Sequence, residues 1–412
     1  MEVLDWSPQQ IQALDKARRW LDAQADTVPQ VHHIFGFAGT GKTTLAKQLA
    51  QHAGYGCLSA AFTGKAASVM ASKGLPDPTT VHRLIYVPAG SDQSAVEALR
   101  REQQELYAIP DRQMTEAQEV RLCAVERALR DAETAGSRLR FTLKEESALS
   151  SAPLLILDEA SQVDQRMAED LLSFGTRILV LGDPAQLPPV RGAGYFTNVT
   201  PESLLTEVHR QAQGSAILSL ATAAREGRAL PLGEFTDARV VRQVTAEQAL
   251  AADQILCGTN KKRHAINRRH RELGGHTAKL PRAGERLVCL SNNYELGLMN
   301  GTTWRAEADA YEEEDPEGLG LGSITLRLTP SEGGAAQTFP IDTWPFEHGE
   351  EGMRYGSNHG QFTFGYALTV HKSQGSQWDR VILFDDWPSN NGRREWLYTG
   401  ITRAARDLTV VL

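Results

Sequence analysis

At 412 residues, with 41% hydrophobic and 23% charged side chains, the chain is long enough to bury more than one core and is neither disordered nor collagen-like in composition. No apolar run is long enough to cross a bilayer, the N-terminus MEVLDWSPQQ is acidic where a secretory signal is basic and then apolar, and Cys57, Cys123, Cys257 and Cys289 stand far apart with no CxxC pair, a pattern that suggests neither a zinc site nor a disulfide framework. The net charge of −8 excludes a generally basic surface, so any contact with nucleic-acid phosphates must come from a local patch. The expectation is a soluble, intracellular protein with reduced core thiols and no membrane partner.

Ser7-Pro8-Gln9-Gln10 opens a helical segment in which Gln10, following Ser7 at capping-box spacing, has Pro8 at the first helical position. The apolar run VHHIF then leads into GFAGTGKT, Gly36 to Thr43, and TLAKQLAQHA continues in a helical pattern. Strand, glycine-rich turn and helix in that order form a phosphate-binding loop, because glycines let backbone N–H groups close on phosphates at a helix N-terminus. Gly36, Ala38, Gly39, Thr40, Gly41 and Thr44 form the cradle, Lys42 reaches the β and γ phosphates, and the Thr43 hydroxyl holds Mg²⁺. A nucleotide there gives Gln10 a second reading, contact with the adenine, and the sequence leaves both open.

CLSA at 57–60 reads as a further buried strand. From Ser91 to Ala135 there is no glycine, and Leu122, Val125, Leu129 and Ala132 share one helical face, which predicts a helical hairpin inserted in the first lobe. LLILDEAS at 154–161 ends a strand on two acids: Asp158 binds Mg²⁺ through its water shell, and Glu159 orients and deprotonates a water. In LVLGDPAQLPPV at 179–190, Gln186 is either a sensor of the γ-phosphate or a polar turn residue ahead of Pro188 and Pro189.

LTEVHRQ at 205–211 and LYTGITRA at 397–404 contribute Arg210 and Arg403, whose guanidinium forks match the charge that phosphoryl transfer spreads over oxygens. The runs QILCG, VILF and LTVV predict a second sheet like the first. KKRHAINRRHR at 261–271 is a local basic surface or a solvated helix face. From Thr302 to Gly360, ITLRL and QTFPI among glycine, proline and acidic turns predict a small β module.

These motifs, with AAFTGKAA at 60–67, TTVHRLI at 79–85, NNYELGLMNG at 292–301 and YALTVHKSQG at 366–375, closely resemble the superfamily 1B DNA helicases, in the group of RecD-like and Dda-type enzymes. The resemblance implies an α/β fold of two RecA-like P-loop domains, with a helical insert in the first and a small, SH3-like β insert in the second. The first domain would comprise 1–84 and 141–194 around an insert at 85–140, and the second 195–301 and 361–412 around an insert at 302–360. ATP and Mg²⁺ would bind between the domains, lined also by Gly375, and single-stranded DNA would cross their tops, with movement 5′ to 3′.

Phe62, Thr63, Lys65, His82, Asn260, His371 and Ser373 fall in motifs that face the strand in such helicases. Hydroxyl, amide and basic groups suit contacts that do not read bases; Thr63, Asn260 and Ser373 are equally residues that cap helices. The expected partners are single-stranded and tailed or forked duplex DNA, with a replication or repair protein as a further partner, in the cytoplasm at the nucleoid or in a phage host.

Three positions depart from the pattern. Phe62 stands where the group commonly has proline, Gln377 where it often has glutamate, and the first insert reads helical where the strand-separating pin is usually a short β-hairpin. A strand translocase without productive unwinding, acting on DNA or RNA, and a nucleotide-gated binding subunit are therefore the competing expectations.

Overall fold

The computed structural model describes residues 6–88, 101, 121, 125, 141–188, 194–207, 214–293, 296–310, 322–331, 333–349, 353, 357–389 and 391–412. The helical hairpin expected over Ser91–Ala135 lies outside the described residues, apart from the helical positions Arg101, Arg121 and Val125.

The first lobe carries β1 (Val31–Gly36), β2 (Leu58–Ala61), β3 (Pro78–Thr80), β4 (Tyr86–Pro88), β5 (Phe141–Leu143), β6 (Leu155–Asp158), β7 (Ile178–Gly182) and β8 (Ser203–Leu205). Its main sheet has the order β3-β2-β6-β7-β1-β8 with every pairing parallel, while β4 and β5 form a separate antiparallel pair. The apolar runs that predicted strands fall on β1, β2, β6 and β7, and their alternate residues pack on opposite faces. Ile34, Ile156, Leu179 and Leu181 meet Leu14, Trp20, Leu45 and Leu49 of the helices Pro8–Asp22 and Lys42–Ala53. Phe35, Leu155, Leu157 and Val180 meet Ile85, Met167 and Leu171 on the other face.

The second lobe contains β9 (Gly233–Glu234), β10 (Ala238–Val241), β11 (Gln254–Cys257), β12 (Arg286–Cys289), β13 (Thr303–Ala306), β14 (Ser323–Pro330), β15 (Gln337–Asp342), β16 (Gly360–Phe364), β17 (Ala367–Thr369), β18 (Trp378–Phe384) and β19 (Ala404–Val411). Its sheet runs β17-β11-β18-β19-β10-β9, parallel except at the β10–β9 edge. Strands β12 to β16 close a barrel, so the β module takes strands from both sides of the 302–360 segment. Likewise β8, beyond residue 194, belongs to the first sheet.

The barrel is fastened to the second sheet by a buried ion pair. Arg271, at the end of the helix Asn260–Leu273, donates from Nε and Nη2 to Glu285 at 2.7 and 3.0 Å, and the Tyr366 hydroxyl reaches the same carboxylate at 3.3 Å. His270 stacks on Tyr366 with ring centroids 4.0 Å apart. The helix is amphipathic in an unusual sense: Arg263, Asn267, His270 and Arg271 face inward, and of the basic segment Lys261, Lys262, Arg268 and Arg269 remain exposed. The basic surface is thus smaller than composition suggests.

Candidate nucleotide site and strand-facing edge

The first sheet presents the carboxyl ends of β1, β6 and β7 to the region where the motifs gather, as open α/β sheets do, and the second lobe meets them with the turns that precede β18 and β19. The chain leaves β1 into the glycine-rich loop and enters the helix Lys42–Ala53 through Gly41, whose φ of 81° is a left-handed conformation that favours glycine. A side chain at Gly41 would also collide with Gln10, since a Cβ there would lie 2.5 Å from Nε2.

Lys42 Nζ lies within the loop and donates to Gly36 O at 2.5 Å and Phe37 O at 3.1 Å. Thr40 Oγ1 donates to Phe37 O at 2.8 Å, and Gln10 Nε2 donates to Thr40 O at 3.0 Å. Gln10 at the same time closes the capping box with Ser7, so its buried amide braces the loop from the N-terminal helix. Thr43 and Thr44 follow Lys42 in the first helical turn.

Asp158 ends β6 and Glu159 follows it at φ 52°, ψ 40°. Among the described residues, Asp77 and Glu159 are the non-glycine residues with positive φ, and such backbone costs roughly 1–3 kcal/mol that neighbouring structure must hold. Its N–H bonds Asp158 Oδ1 at 2.9 Å, which fixes the two carboxyls relative to each other. Burial pushes the Glu159 carboxyl above the usual range, opposed by Arg403 and Lys42 and reinforced by Asp158 and Asp183. A carboxylate in that environment holds a proton more tightly than one in water, which suits a general base.

The second lobe reaches into this cluster from the helix Arg393–Ile401 and the turn after it. Arg403 Nη1 lies 4.0 Å from Glu159 Oε1, while Nε and Nη1 are held by Thr399 O at 3.0 Å and Ser376 O at 3.1 Å. The Tyr398 hydroxyl accepts from Ala38 N at 2.7 Å and donates to Asp183 Oδ2 at 2.7 Å. Leu187 N donates to Thr399 Oγ1, and Gln374 Nε2 donates to Leu187 O. Arg225 lies over the Phe37 ring, 3.6 Å from its centroid. Gln186, half-buried, donates its N–H to Asp183 O. Arg210 lies outside the described residues.

The AAA domain matches residues 18–246, more than half of the chain, and the UvrD-like helicase C-terminal domain matches residues 364–411. The chain is 30% identical over 277 residues to the ATP-dependent RecD2 DNA helicase of Deinococcus radiodurans, covering 62% of this chain and 36% of that protein. It is 26% identical over 291 residues to the RecBCD enzyme subunit RecD of Mycobacterium tuberculosis, covering 63% and 49%. The chain belongs to the superfamily 1B helicases, in their RecD-like group. It spans between 36% and 49% of the length of those curated relatives. Its fold is similar to that of Bacteroides Pif1 bound to ssDNA, with a TM-score of 0.52 at 18% identity over 99% of this chain and 92% of that one.

In this superfamily 1B chain the residues expected to face the strand divide into two kinds. Phe62, His82 and Tyr86 form an aromatic row at the carboxyl end of β2, with centroids 5.6 and 5.7 Å apart. Burial lowers the His82 pKa, with Asp164 opposing. His371 packs against Trp387 at 5.4 Å, and burial lowers its pKa too. Asn260 is exposed at the start of its helix.

The hydroxyls, by contrast, are engaged internally. Thr63 Oγ1 accepts from Ala66 N at 3.1 Å as a helix cap, and Ser373 is buried with its hydroxyl on Val370 O at 2.7 Å. Gly375, expected at the nucleotide, has φ 74° and lies against Thr63 and Ala66 of the first lobe; a Cβ there would come within 3.2 and 3.1 Å. The side chain of Lys65 lies outside those described. Tyr398, Asp183, Thr399, Gln374 and Arg225 were not singled out from the sequence, although the first four sit inside motifs that were. A tyrosine and a threonine in the last turn of a helix that runs into an arginine candidate were the available signal.

Proposed function

We propose that the chain is an ATP-dependent DNA helicase that moves along single-stranded DNA, 5′ to 3′, coupling hydrolysis between its two lobes to strand separation. The observation that carries the reading is the approach of Arg403, on the second lobe, to Glu159, the candidate base on the first. A pair that can assemble only when the lobes meet ties chemistry to their relative position, which is what a stepping motor requires.

The residues suit ATP and Mg²⁺. Lys42 can exchange two backbone carbonyls for phosphate oxygens, and the Thr43 hydroxyl with the Asp158 carboxylate makes the hard-oxygen set that Mg²⁺ takes with water and phosphates. When bound, Mg²⁺ neutralises phosphate charge. Glu159 would receive the proton of the attacking water, Gln186 would orient it, and Arg403 with Arg210 would match charge developing on the transferred group. Gly36, Ala38, Gly39, Thr40, Gly41 and Thr44 would line the phosphates.

The strand would cross Phe62, Thr63, Lys65 and His82 on one lobe and Asn260 and His371 on the other, with Ser373 buried and bracing the turn that carries His371. The exposed Lys261, Lys262, Arg268 and Arg269 supply positive charge beside it on an otherwise acidic body. Its direction rests on the resemblance to superfamily 1B, and the cytoplasm is its proposed workplace. Domain limits are proposed as before, with Ser203–Leu205 assigned to the first lobe and the barrel running from Arg286 to Phe364.

Hydrolysis of ATP by the purified chain, with single-stranded DNA, single-stranded RNA or neither, tests the reading. It expects DNA to raise turnover at least tenfold and Lys42→Ala to abolish it. Stimulation by RNA alone, or turnover indifferent to Lys42→Ala, would sink it.

A further inference from the structure

Tyr398 is buried on the helix Arg393–Ile401 of the second lobe, yet both partners of its hydroxyl belong to the first. It donates to Asp183 Oδ2 at 2.7 Å and accepts from the Ala38 N–H at 2.7 Å. A phenol has one proton to give, so the carboxylate fixes both directions. Burial and the Asp183 charge push the Tyr398 pKa well above its ordinary value, so that proton stays on the hydroxyl.

Ala38 sits in the middle of the glycine-rich loop, where backbone N–H groups are the natural partners of phosphate oxygens. Here the N–H is committed to the other lobe instead. The same helix holds the segment after β7 through Thr399 and Leu187, and Arg225 covers Phe37 beside Ala38. The loop's flank is therefore gripped by the second lobe at a group a nucleotide would claim.

Resting on the reading of this cleft as an ATP site, we infer that Tyr398 is a positioning residue that competes with a terminal phosphate for the Ala38 N–H. Asp183 keeps hold of the hydroxyl when the amide changes partner. Filling the loop with a triphosphate thus breaks one bond between the lobes and leaves the other, which reports the nucleotide state to the helix that leads into Arg403. A diphosphate leaves the Ala38 bond in place.

The test is titration of the chain and its Tyr398→Phe variant with AMP-PNP and with ADP, each with Mg²⁺, by calorimetry. The variant lacks the competitor, so its affinity for AMP-PNP relative to ADP rises about fivefold, the equivalent of one net hydrogen bond. A purely structural tyrosine would shift both nucleotides together. A ratio within twofold of the parent's therefore overturns the inference. Should Tyr398→Phe not fold, Asp183→Asn weakens the anchor of the same hydroxyl and raises the same ratio; an unchanged ratio there overturns the inference equally. A parent chain that binds neither nucleotide overturns the ATP-site reading and this inference together, whereas binding of both with an unchanged ratio in the variant overturns this inference alone.

Discussion

Arg403 Nη1 stands 4.0 Å from Glu159 Oε1, although one residue precedes a strand of the second sheet and the other follows a strand of the first. The arginine is held in place by backbone carbonyls of its own lobe, at Thr399 and Ser376, and not by the carboxylate. Its aim is therefore set by its own lobe. Loss of its fork should remove charge stabilisation of the transferred phosphoryl group more than nucleotide binding. Arg403→Lys is expected to lower kcat for ATP roughly 10³-fold or more, with nucleotide affinity changed less than tenfold, as single-turnover kinetics beside equilibrium titration would show. Loss of binding in step with turnover would count against the role.

Glu159→Gln should keep nucleotide binding and lower turnover by about 10²- to 10⁴-fold, the range for loss of a positioned base. The raised pKa also fixes two signs. In the parent, turnover rises with pH through an inflection above the ordinary carboxylate value, because the base works deprotonated. Folding binds a proton at Glu159 more tightly than the unfolded chain does, so this group's contribution to stability falls as pH rises from the unfolded value through the folded one. Glu159→Gln should then melt higher than the parent at neutral pH, and the gain should vanish in acid. Scanning calorimetry across pH checks it; a variant less stable at neutral pH would contradict the burial argument.

Removing one partner of the Arg271–Glu285 pair leaves a charge buried without its counterion. Glu285→Ala is expected to cost about 3–5 kcal/mol, and Glu285→Gln less because it still accepts a hydrogen bond. Urea denaturation monitored by tryptophan fluorescence measures both. Equal midpoints for parent and Glu285→Ala would show that the barrel is held by other contacts.

Gln10→Ala loses its part of the capping box and the bond to Thr40 O together, for an expected cost of about 1–2 kcal/mol. Because Thr40 lies in the phosphate loop, KM for ATP should rise as well. Gln10→Glu separates the effects: it keeps an acceptor for the Ser7 N–H and has no donor for Thr40 O. An unchanged KM in both variants would leave Gln10 as a helix cap alone.

The parallel strands were legible because apolar runs buried on both faces, such as LLIL and ILVL, leave few other structures open to them. The capping box at Ser7 was legible for a local reason, since its partners lie within one turn. The extent of the barrel was not: Leu287 pairs with Phe364 across a long sequence separation, and each short strand looks like any other buried run. β8, three residues long, carries too little pattern to be placed. The basic segment was legible only in part because a charge count ignores faces, yet Arg263, Asn267, His270 and Arg271 follow helical spacing and form an inward stripe. At the candidate site, the motifs singled out Lys42, Asp158, Glu159 and Arg403, which the fold brings together, but the partners of the Tyr398 hydroxyl depend on how two lobes meet, which no local pattern records.

Unwinding of partial duplex DNA bearing either a 5′ or a 3′ single-stranded tail, with ATP hydrolysis followed in the same reactions, tests the central claim most directly. The account predicts strand-stimulated hydrolysis with both substrates and strand separation only from the 5′ tail, both lost in Lys42→Ala. Unwinding from the 3′ tail, or hydrolysis indifferent to DNA, would contradict it.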